Sequence, residues 1–347
     1  MNPIRTALLS FGLSGKAFHA PFLDALPGFE LAGVWERSSK KAAQLYPQIQ
    51  SYDSLESLLS DRSIELVVVN TPNSTHYAYT TAALLAGKHV IVEKPFVPTV
   101  AEGEELLALA AEKGLQLSVY QNRRWDSDFL TVKRVLQQAS LGTIVEAAFH
   151  FDRYNPALSS KEHKETAAPG VGIHYDLGSH IIDSALYLFG MPQSVFADLR
   201  KLRAGTAIYD DMELLLFYAG LRVRVHSSYF VREPLPAFQL YGTNGSFAKA
   251  RADVQEGDLL QGRSLADAGW GTEPAGAEGL LHISEQGSSD RSLVPSERGN
   301  YAAYFEGVYQ ALRYGAPMPV TGEEGLNVIR VLEAAERSAA SGMREPV

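Results

Sequence analysis

His89-Val90-Ile91-Val92-Glu93-Lys94-Pro95 is the stretch from which the fold of this chain is read. Its apolar residues have the character of a fully buried strand. A carboxylate, an ammonium and a proline then follow with no turn spacer. Charge at the carboxyl end of a buried parallel strand lies where open α/β sheets bind ligands. A solvated loop accounts for the same charges, since Lys and Glu are usually exposed. Pro95 adds the expectation of an unusual peptide geometry that aims Lys94.

The flanking segments favour the sheet. Upstream, Ile64-Glu65-Leu66-Val67-Val68-Val69-Asn70 is a second buried run, ending in Thr71-Pro72-Asn73-Ser74-Thr75-His76. Asn73, Ser74 and Thr75 are natural helix caps. A helix through Ala82-Ala83-Leu84-Leu85 stops at Gly87. Downstream come a helix around Glu104 to Leu109 and a strand from Leu115 to Tyr120. At the start of the chain, Ile4 to Leu9 runs into Ser10-Phe11-Gly12-Leu13-Ser14-Gly15, and a helix follows with Phe18, Phe22, Leu23 and Leu26 on one side. Phe29 to Trp35 is the next strand. This βαβα alternation predicts a Rossmann-type doubly wound parallel sheet over residues 1–121.

Strand, glycine turn and helix together are the context a dinucleotide fingerprint requires. The turn must be tight, its backbone must approach a pyrophosphate, and free helix N–H groups must face anionic oxygens. Gly12-Leu13-Ser14-Gly15 meets this, with Ser10 in place of the usual first glycine. A plain βα turn or an S-adenosylmethionine site has the same appearance. At the end of the second strand, Glu36 sits where an acid binds the adenosine ribose of NAD, whereas Arg37, Ser38 and Ser39 suit the 2′-phosphate of NADP. A solvated helix start is the bland alternative. The two cofactor signals conflict and leave NAD or NADP open.

Beyond Gln121 the pattern changes. One helix spans about Phe129 to Gln138. Alternating strands follow at Ile144 to Phe151, Ser194 to Leu202, Met212 to Phe217, Leu221 to Tyr229 and Phe238 to Tyr241. Leu221, Val223 and Val225 face one way, and Arg222, Arg224 and His226 the other. Residues 122–347 are therefore expected to form a second domain on a mostly antiparallel sheet with one buried and one polar face. Asn244-Gly245 signals a hairpin. Asp253 to Asp290, rich in Gly, Ala and acids, reads as a long loop. Two helices, Tyr301 to Tyr314 and Glu323 to Ser341, close the chain.

Gly170 to Asp183 carries the chemistry of this half. From Asp176 on it reads as a helix, with Asp176 and His180 at i,i+4 and Asp183 three residues further, all able to share a face. A histidine set between carboxylates suits proton transfer near neutral pH. A capped helix with one satisfied histidine looks the same, and one histidine among acids is a weak zinc pattern; no metal is expected here. The residues suggest carbinol oxidation. His180 is the base, Lys94 stabilises developing alkoxide, and Asp176 orients substrate or histidine and balances the lysine. Arg123, Trp125, Asp152, Arg153, Tyr154 and Tyr175 are polar or aromatic groups suited to a polyol, with interface packing as their alternative role.

These motifs resemble the Gfo/Idh/MocA oxidoreductases over essentially the whole length. The resemblance rests on Gly12-Leu13-Ser14-Gly15, Thr71-Pro72-Asn73 with His76, Glu93-Lys94-Pro95, Asn122-Arg123-Arg124-Trp125-Asp126, and Asp176-Leu177-Gly178-Ser179-His180 with Asp183. Through Phe18-His19-Ala20-Pro21 and Asn122 to Asp126 the chain is similar to the NADP-dependent scyllo-inositol dehydrogenases within that family. The resemblance implies that residues 122–347 form an α/β domain with a large, mostly antiparallel open sheet. It implies Lys94, Asp176 and His180 as the catalytic set. It implies cofactor contacts at Gly12, Leu13, Ser14, Gly15, Glu36, Arg37, Thr71, Asn73, His76, Glu93, Lys94, Asn122 and Trp125. A cyclitol or sugar substrate and a homodimer or homotetramer built through the sheet faces are implied too. Two residues depart from the pattern: Ser10 replaces the usual first glycine, and Glu36 puts a carboxylate where an NADP enzyme favours none.

Composition bounds the alternatives. With 347 residues, two domains are the default. A net charge of −9 argues against nucleic acid as the main partner. The absence of cysteine rules out disulfides, thiolate metal sites and a cysteine nucleophile, and fits a reducing compartment. The apolar run in Met1 to Gly15 is too short for a signal sequence, and no stretch has the roughly 20 apolar residues a membrane span needs. The expected location is the cytoplasm. A non-catalytic dinucleotide sensor and a glycosidase that retains its NAD are the rival functions.

Overall fold

Runs of four to seven apolar residues suit strands buried on both faces, and those of the first third become strands of one sheet. The computed structural model describes residues 2–38, 40–160, 165–285 and 288–347. Among these, two compact units are found. The first comprises Met1–Asn122, Val254–Trp270 and Asn300–Leu326; the second comprises Arg123–Asp253, Gly271–Gly299 and Asn327–Val347. The chain first passes from one unit to the other at Asn122–Arg123. Two later segments also belong to the first unit.

In the first unit the strands are β1 (Ile4–Leu8), β2 (Phe29–Trp35), β3 (Gln50–Tyr52), β4 (Leu66–Val69), β5 (His89–Glu93) and β6 (Leu117–Tyr120). Their order is β3-β2-β1-β4-β5-β6, all parallel. The winding reverses between β1 and β4, and in such sheets ligands bind outside the carboxyl ends at this switch point. β3 is a short edge strand that periodicity does not foresee. β4 and the apolar part of β5 are buried throughout.

The late segments join this unit through aromatic packing. The helix Ala302–Tyr314 stacks Phe305 on Phe22, with ring centroids 5.0 Å apart, and sets it near Tyr120 at 5.6 Å. Ser118 on β6 donates to the Val320 carbonyl at 2.6 Å. A fully buried aromatic of this size contributes about 1.5–3 kcal/mol.

The second unit is built on β7 (Ile144–His150), β8 (Ser194–Arg200), β9 (Asp211–Phe217), β10 (Arg222–Ser228), β11 (Phe238–Gly242), β12 (Gly245–Lys249), β13 (Gly279–Glu285), β14 (Ser288–Val294) and β15 (Glu345–Pro346). The sheet order is β14-β13-β12-β11-β7-β10-β9-β8-β15. Only β10 with β7 is parallel among the paired strands. Val223 and Val225 are fully buried while Arg222 and Arg224 are exposed, which gives the expected apolar and polar faces.

The expected loop from Asp253 to Asp290 is corrected by the structure. It contains a short helix, Gln255–Leu260, and the strand β13, which pairs with β14. The pattern was weak because this hairpin lies at a sheet edge and most of its described side chains stay half or fully exposed. With little apolar surface to hide, alternation is not demanded of the sequence.

Candidate active site

At the end of β1, Ser10 takes the first position of the turn and is tied to the end of β4. Its N–H donates to Asn70 Oδ1 at 3.0 Å, and Asn70 Nδ2 donates back to the Ser10 carbonyl at 2.9 Å. The Ser10 hydroxyl donates to the Asn70 carbonyl at 2.8 Å. A side chain is therefore useful where the usual pattern has glycine. The other two glycines behave as a dinucleotide turn requires. A Cβ on Gly12 meets nothing within 4 Å, so the backbone there stays open to a ligand. A Cβ on Gly15 would lie 2.4 Å from the Ser10 carbonyl and 2.7 Å from Asn70 Nδ2. Gly15 thus permits close helix–strand packing, and the first helical N–H groups remain for anionic oxygens. These residues fit the pyrophosphate of NAD or NADP.

Glu93, for which sequence supplied no derivable role, anchors this turn. Its carboxylate accepts from the Ser14 hydroxyl, faces His19 Nε2 at 2.8 Å, and accepts from the Lys94 N–H at 3.2 Å. His19 is fully buried against Tyr120, ring centroids 4.4 Å apart. Burial works against the Glu93 charge, but His19, Ser14 and Lys94 hold its carboxyl below the usual range. A group with a lowered folded-state pKa stabilises above its unfolded pKa, and that contribution is lost as pH falls through the folded value. Glu93→Gln is therefore expected to destabilise clearly at pH 7 and much less once the pH has fallen well below the usual carboxylate range. Denaturant melts of both proteins across that range check this. A pH-independent difference contradicts it.

Lys94 is half-buried at the carboxyl end of β5, and the Lys94–Pro95 peptide is cis. His76 spans the two neighbouring turns. Its Nδ1 lies 2.9 Å from the Pro95 carbonyl and its Nε2 2.9 Å from the Thr71 carbonyl. Burial pushes the His76 pKa down despite these carbonyls. The Thr71 and Thr75 hydroxyls bond each other at 2.6 Å, and Asn73 opens the short turn Asn73–Thr75.

Glu36 is 8% exposed, and its Oε2 accepts from the Ala42 N–H at 2.9 Å. Arg37 is exposed and lines a cleft of about 290 Å³ with Trp35, Ser54 and Tyr79. Trp35 and Tyr79 meet edge to face at 5.7 Å. Ser39 lies outside the described residues.

In the second unit the catalytic candidates ride on one continuous helix. A π-turn, His174–Gly178, leads into Ser179–Phe189. The helix therefore starts two residues before Asp176. A Cβ on Gly178 would lie 2.8 Å from Met212 Sδ, so glycine lets this turn sit close on β9. His180 is 6% exposed, with its ring 6.2 Å from Phe151. Arg123 and Arg251 lie over that same Phe151 ring at 4.8 and 4.1 Å, and Arg153 at 5.5 Å. Asp176 is half-buried. Burial, and next the Asp176 charge, push the Tyr229 hydroxyl up to about 12. Asp183 accepts at both carboxylate oxygens from the Arg124 guanidinium, at 2.7 and 2.8 Å. Arg124 and Asp183 lie 59 residues apart, so no local spacing announces the pair, and nothing in the local sequence marks Tyr229 or Asn70 as functional.

The remaining candidates scatter. Asn122 is buried at the head of the turn Asn122–Trp125, and Trp125 is half-buried. Tyr154 is exposed beneath the Arg232 guanidinium. Tyr175 is 2% exposed and packs on His174, and burial raises its hydroxyl. Asp152 turns to His150 and His226.

Comparison with known proteins places these features in a family. A family model for an oxidoreductase NAD-binding Rossmann fold matches residues 4–121, and one for the oxidoreductase C-terminal α/β domain matches residues 133–347. The chain belongs to the Gfo/Idh/MocA oxidoreductase family. Within it, the chain is 38% identical to scyllo-inositol 2-dehydrogenase (NADP(+)) of Bacillus subtilis, covering 98% of this chain and 94% of that one. It is 24% identical to D-apiose dehydrogenase of Paraburkholderia graminis, covering 91% and 83%. The solved structure of yvaA from Bacillus subtilis superposes with a TM-score of 0.96 at 37% identity, covering 100% of this chain and 99% of that chain. As a Gfo/Idh/MocA member the chain is an NAD(P)-dependent oxidoreductase acting on hydroxyl groups. Among the described residues no helix is long and apolar enough to cross a membrane.

Proposed function

We propose that this oxidoreductase transfers hydride between NADP and a secondary carbinol of a cyclitol or sugar. The observation that carries the reading is the setting of Lys94. The Glu93 carboxylate that accepts from its N–H also binds Ser14 of the glycine turn. The ammonium-bearing residue is thereby fixed one peptide from the anchor of the phosphate-binding loop.

The bound nicotinamide supplies the hydride chemistry, and the chain supplies orientation and proton traffic. In the oxidative direction His180 takes the hydroxyl proton. Lys94 stabilises negative charge growing on that oxygen, and Asp176 orients the substrate or the histidine. Relatives named for scyllo-inositol and D-apiose support a polyhydroxylated substrate. Arg123, Arg153 and Tyr154 are proposed to meet its hydroxyls. The alternating ion pairs Arg222–Glu146 and Arg224–Glu213 on the exposed sheet face suit contact with a second copy, and a homo-oligomer is proposed there.

NADP is favoured over NAD because Glu36 is occupied with Ala42, leaving the exposed Arg37 to meet a 2′-phosphate. Fluorescence titration tests this. Arg37→Ala is expected to weaken NADP binding at least about tenfold, roughly the loss of one charge-assisted contact, and to leave NAD binding nearly unchanged. An unchanged NADP-to-NAD affinity ratio overturns the preference.

A further inference from the structure

We propose that His150, Asp152 and His226 form a binding site for a divalent transition cation on the polar face of the second unit's sheet. β7 and β10 are parallel neighbours with His150 and His226 in register, so the two imidazoles project side by side. Their ring centroids are 5.4 Å apart. Asp152 follows two residues after His150, on the same side by the alternation of an extended chain. Its Oδ1 lies 2.9 Å from His226 Nδ1, and its Oδ2 lies 3.5 Å from His150 Nδ1. One donor atom from each residue lies within 4.8 Å of the other two.

The site is built rather than a surface coincidence. His150 is 7% exposed, and its Nδ1 is buried, with the 3.5 Å approach of Asp152 Oδ2 falling short of a well-formed hydrogen bond. The Asp152 side chain is 2% exposed and the His226 side chain 19%, so one edge opens to solvent. The Ser228 N–H donates to Asp152 Oδ1 at 3.1 Å and orients the carboxylate. Glu213 sits opposite His226 on β9 and adds negative charge nearby, shared with Arg224. This is the only group of this kind found among the described residues.

Two imidazoles and one carboxylate match zinc, cobalt or nickel better than calcium or magnesium. Tetrahedral coordination at about 2.0–2.1 Å spaces the donors about 3.4 Å apart. The widest pair therefore closes on binding, a movement the His226 ring can make from its open edge. Three protein ligands leave a fourth position for water. Phe151, between His150 and Asp152 in sequence, points to the opposite face, where its ring neighbours His180. The cation site is thus separated from the candidate base by the thickness of the sheet.

Tag-free protein titrated with Co²⁺ tests the proposal, using visible absorption for coordination and calorimetry for stoichiometry. One Co²⁺ per chain with ligand-field bands is expected, displaced by Zn²⁺. His226→Ala should weaken binding at least about tenfold, as loss of a ligand exceeds the usual effect of losing a ligand's supporting contact. His226→Gln, which keeps bulk and can still donate to Asp152, should do the same while its metal-free melting curve stays that of a folded, cooperative protein. No ligand-field band in the wild type overturns the proposal. So does Co²⁺ binding that both His226 variants leave intact, which marks adventitious binding elsewhere.

Discussion

Lys94→Ala is expected to lower kcat for polyol oxidation by roughly 10²–10³-fold, the size seen when one preorganised oxyanion donor is removed. The substitution removes a half-buried ammonium and leaves the Glu93 contacts with Ser14 and His19 in place. NADP binding should therefore fall far less than kcat, which separates a chemical role from a binding one. His180→Ala should cost about 10²–10⁴-fold and should flatten the alkaline-rising limb of the pH–rate profile. Steady-state kinetics with a saturating polyol check both. Kinetics insensitive to Lys94→Ala would show that its ammonium takes no part in the chemical step.

The largest stability effect is expected at Arg124. Its guanidinium makes two bonds to Asp183, and the side chains are 5% and 3% exposed. Arg124→Ala leaves a carboxylate buried without its counterion, an arrangement that typically costs about 3–5 kcal/mol. In a unit of this size that corresponds to roughly 6–20 °C in Tm. Asp183→Asn in the Arg124→Ala background removes the uncompensated charge and should recover part of the loss. Calorimetry of the two variants checks the pair. A loss below about 1 kcal/mol for Arg124→Ala places it among exposed ion pairs and contradicts this account.

What the sequence revealed follows from how strongly burial constrains it. Leu66–Val69 and Val90-Ile91-Val92 are buried on both faces, so only apolar residues fit, and the parallel sheet is legible. In β10 the alternation of Val223 and Val225 with Arg222 and Arg224 marks a one-sided sheet just as plainly. The β13–β14 hairpin left no such trace because its edge position demands little burial. Glu93 and Lys94 were visible as charges at a strand end. Glu93's partners Ser14 and His19 were not, because they lie 79 and 74 residues away in the chain. Arg124 with Asp183 and Asp152 with His226 are similarly remote, 59 and 74 residues apart. Such pairs are specified by the fold and leave no local spacing to read. Glu36 shows a different limit. Its position suits a ribose ligand, but its orientation toward the Ala42 N–H is a property of the folded turn.

Reduction of NADP in the presence of a panel of inositols and aldoses, followed by near-ultraviolet absorbance, tests the central claim most directly. The account predicts steady NADPH formation with at least one cyclitol or sugar, faster than with NAD and lost in Lys94→Ala. No turnover with either cofactor across the panel, by protein that binds NADP tightly, contradicts it. Release of nitrophenol from an aryl glycoside without added cofactor would assign the chain to transient-oxidation glycosidases instead.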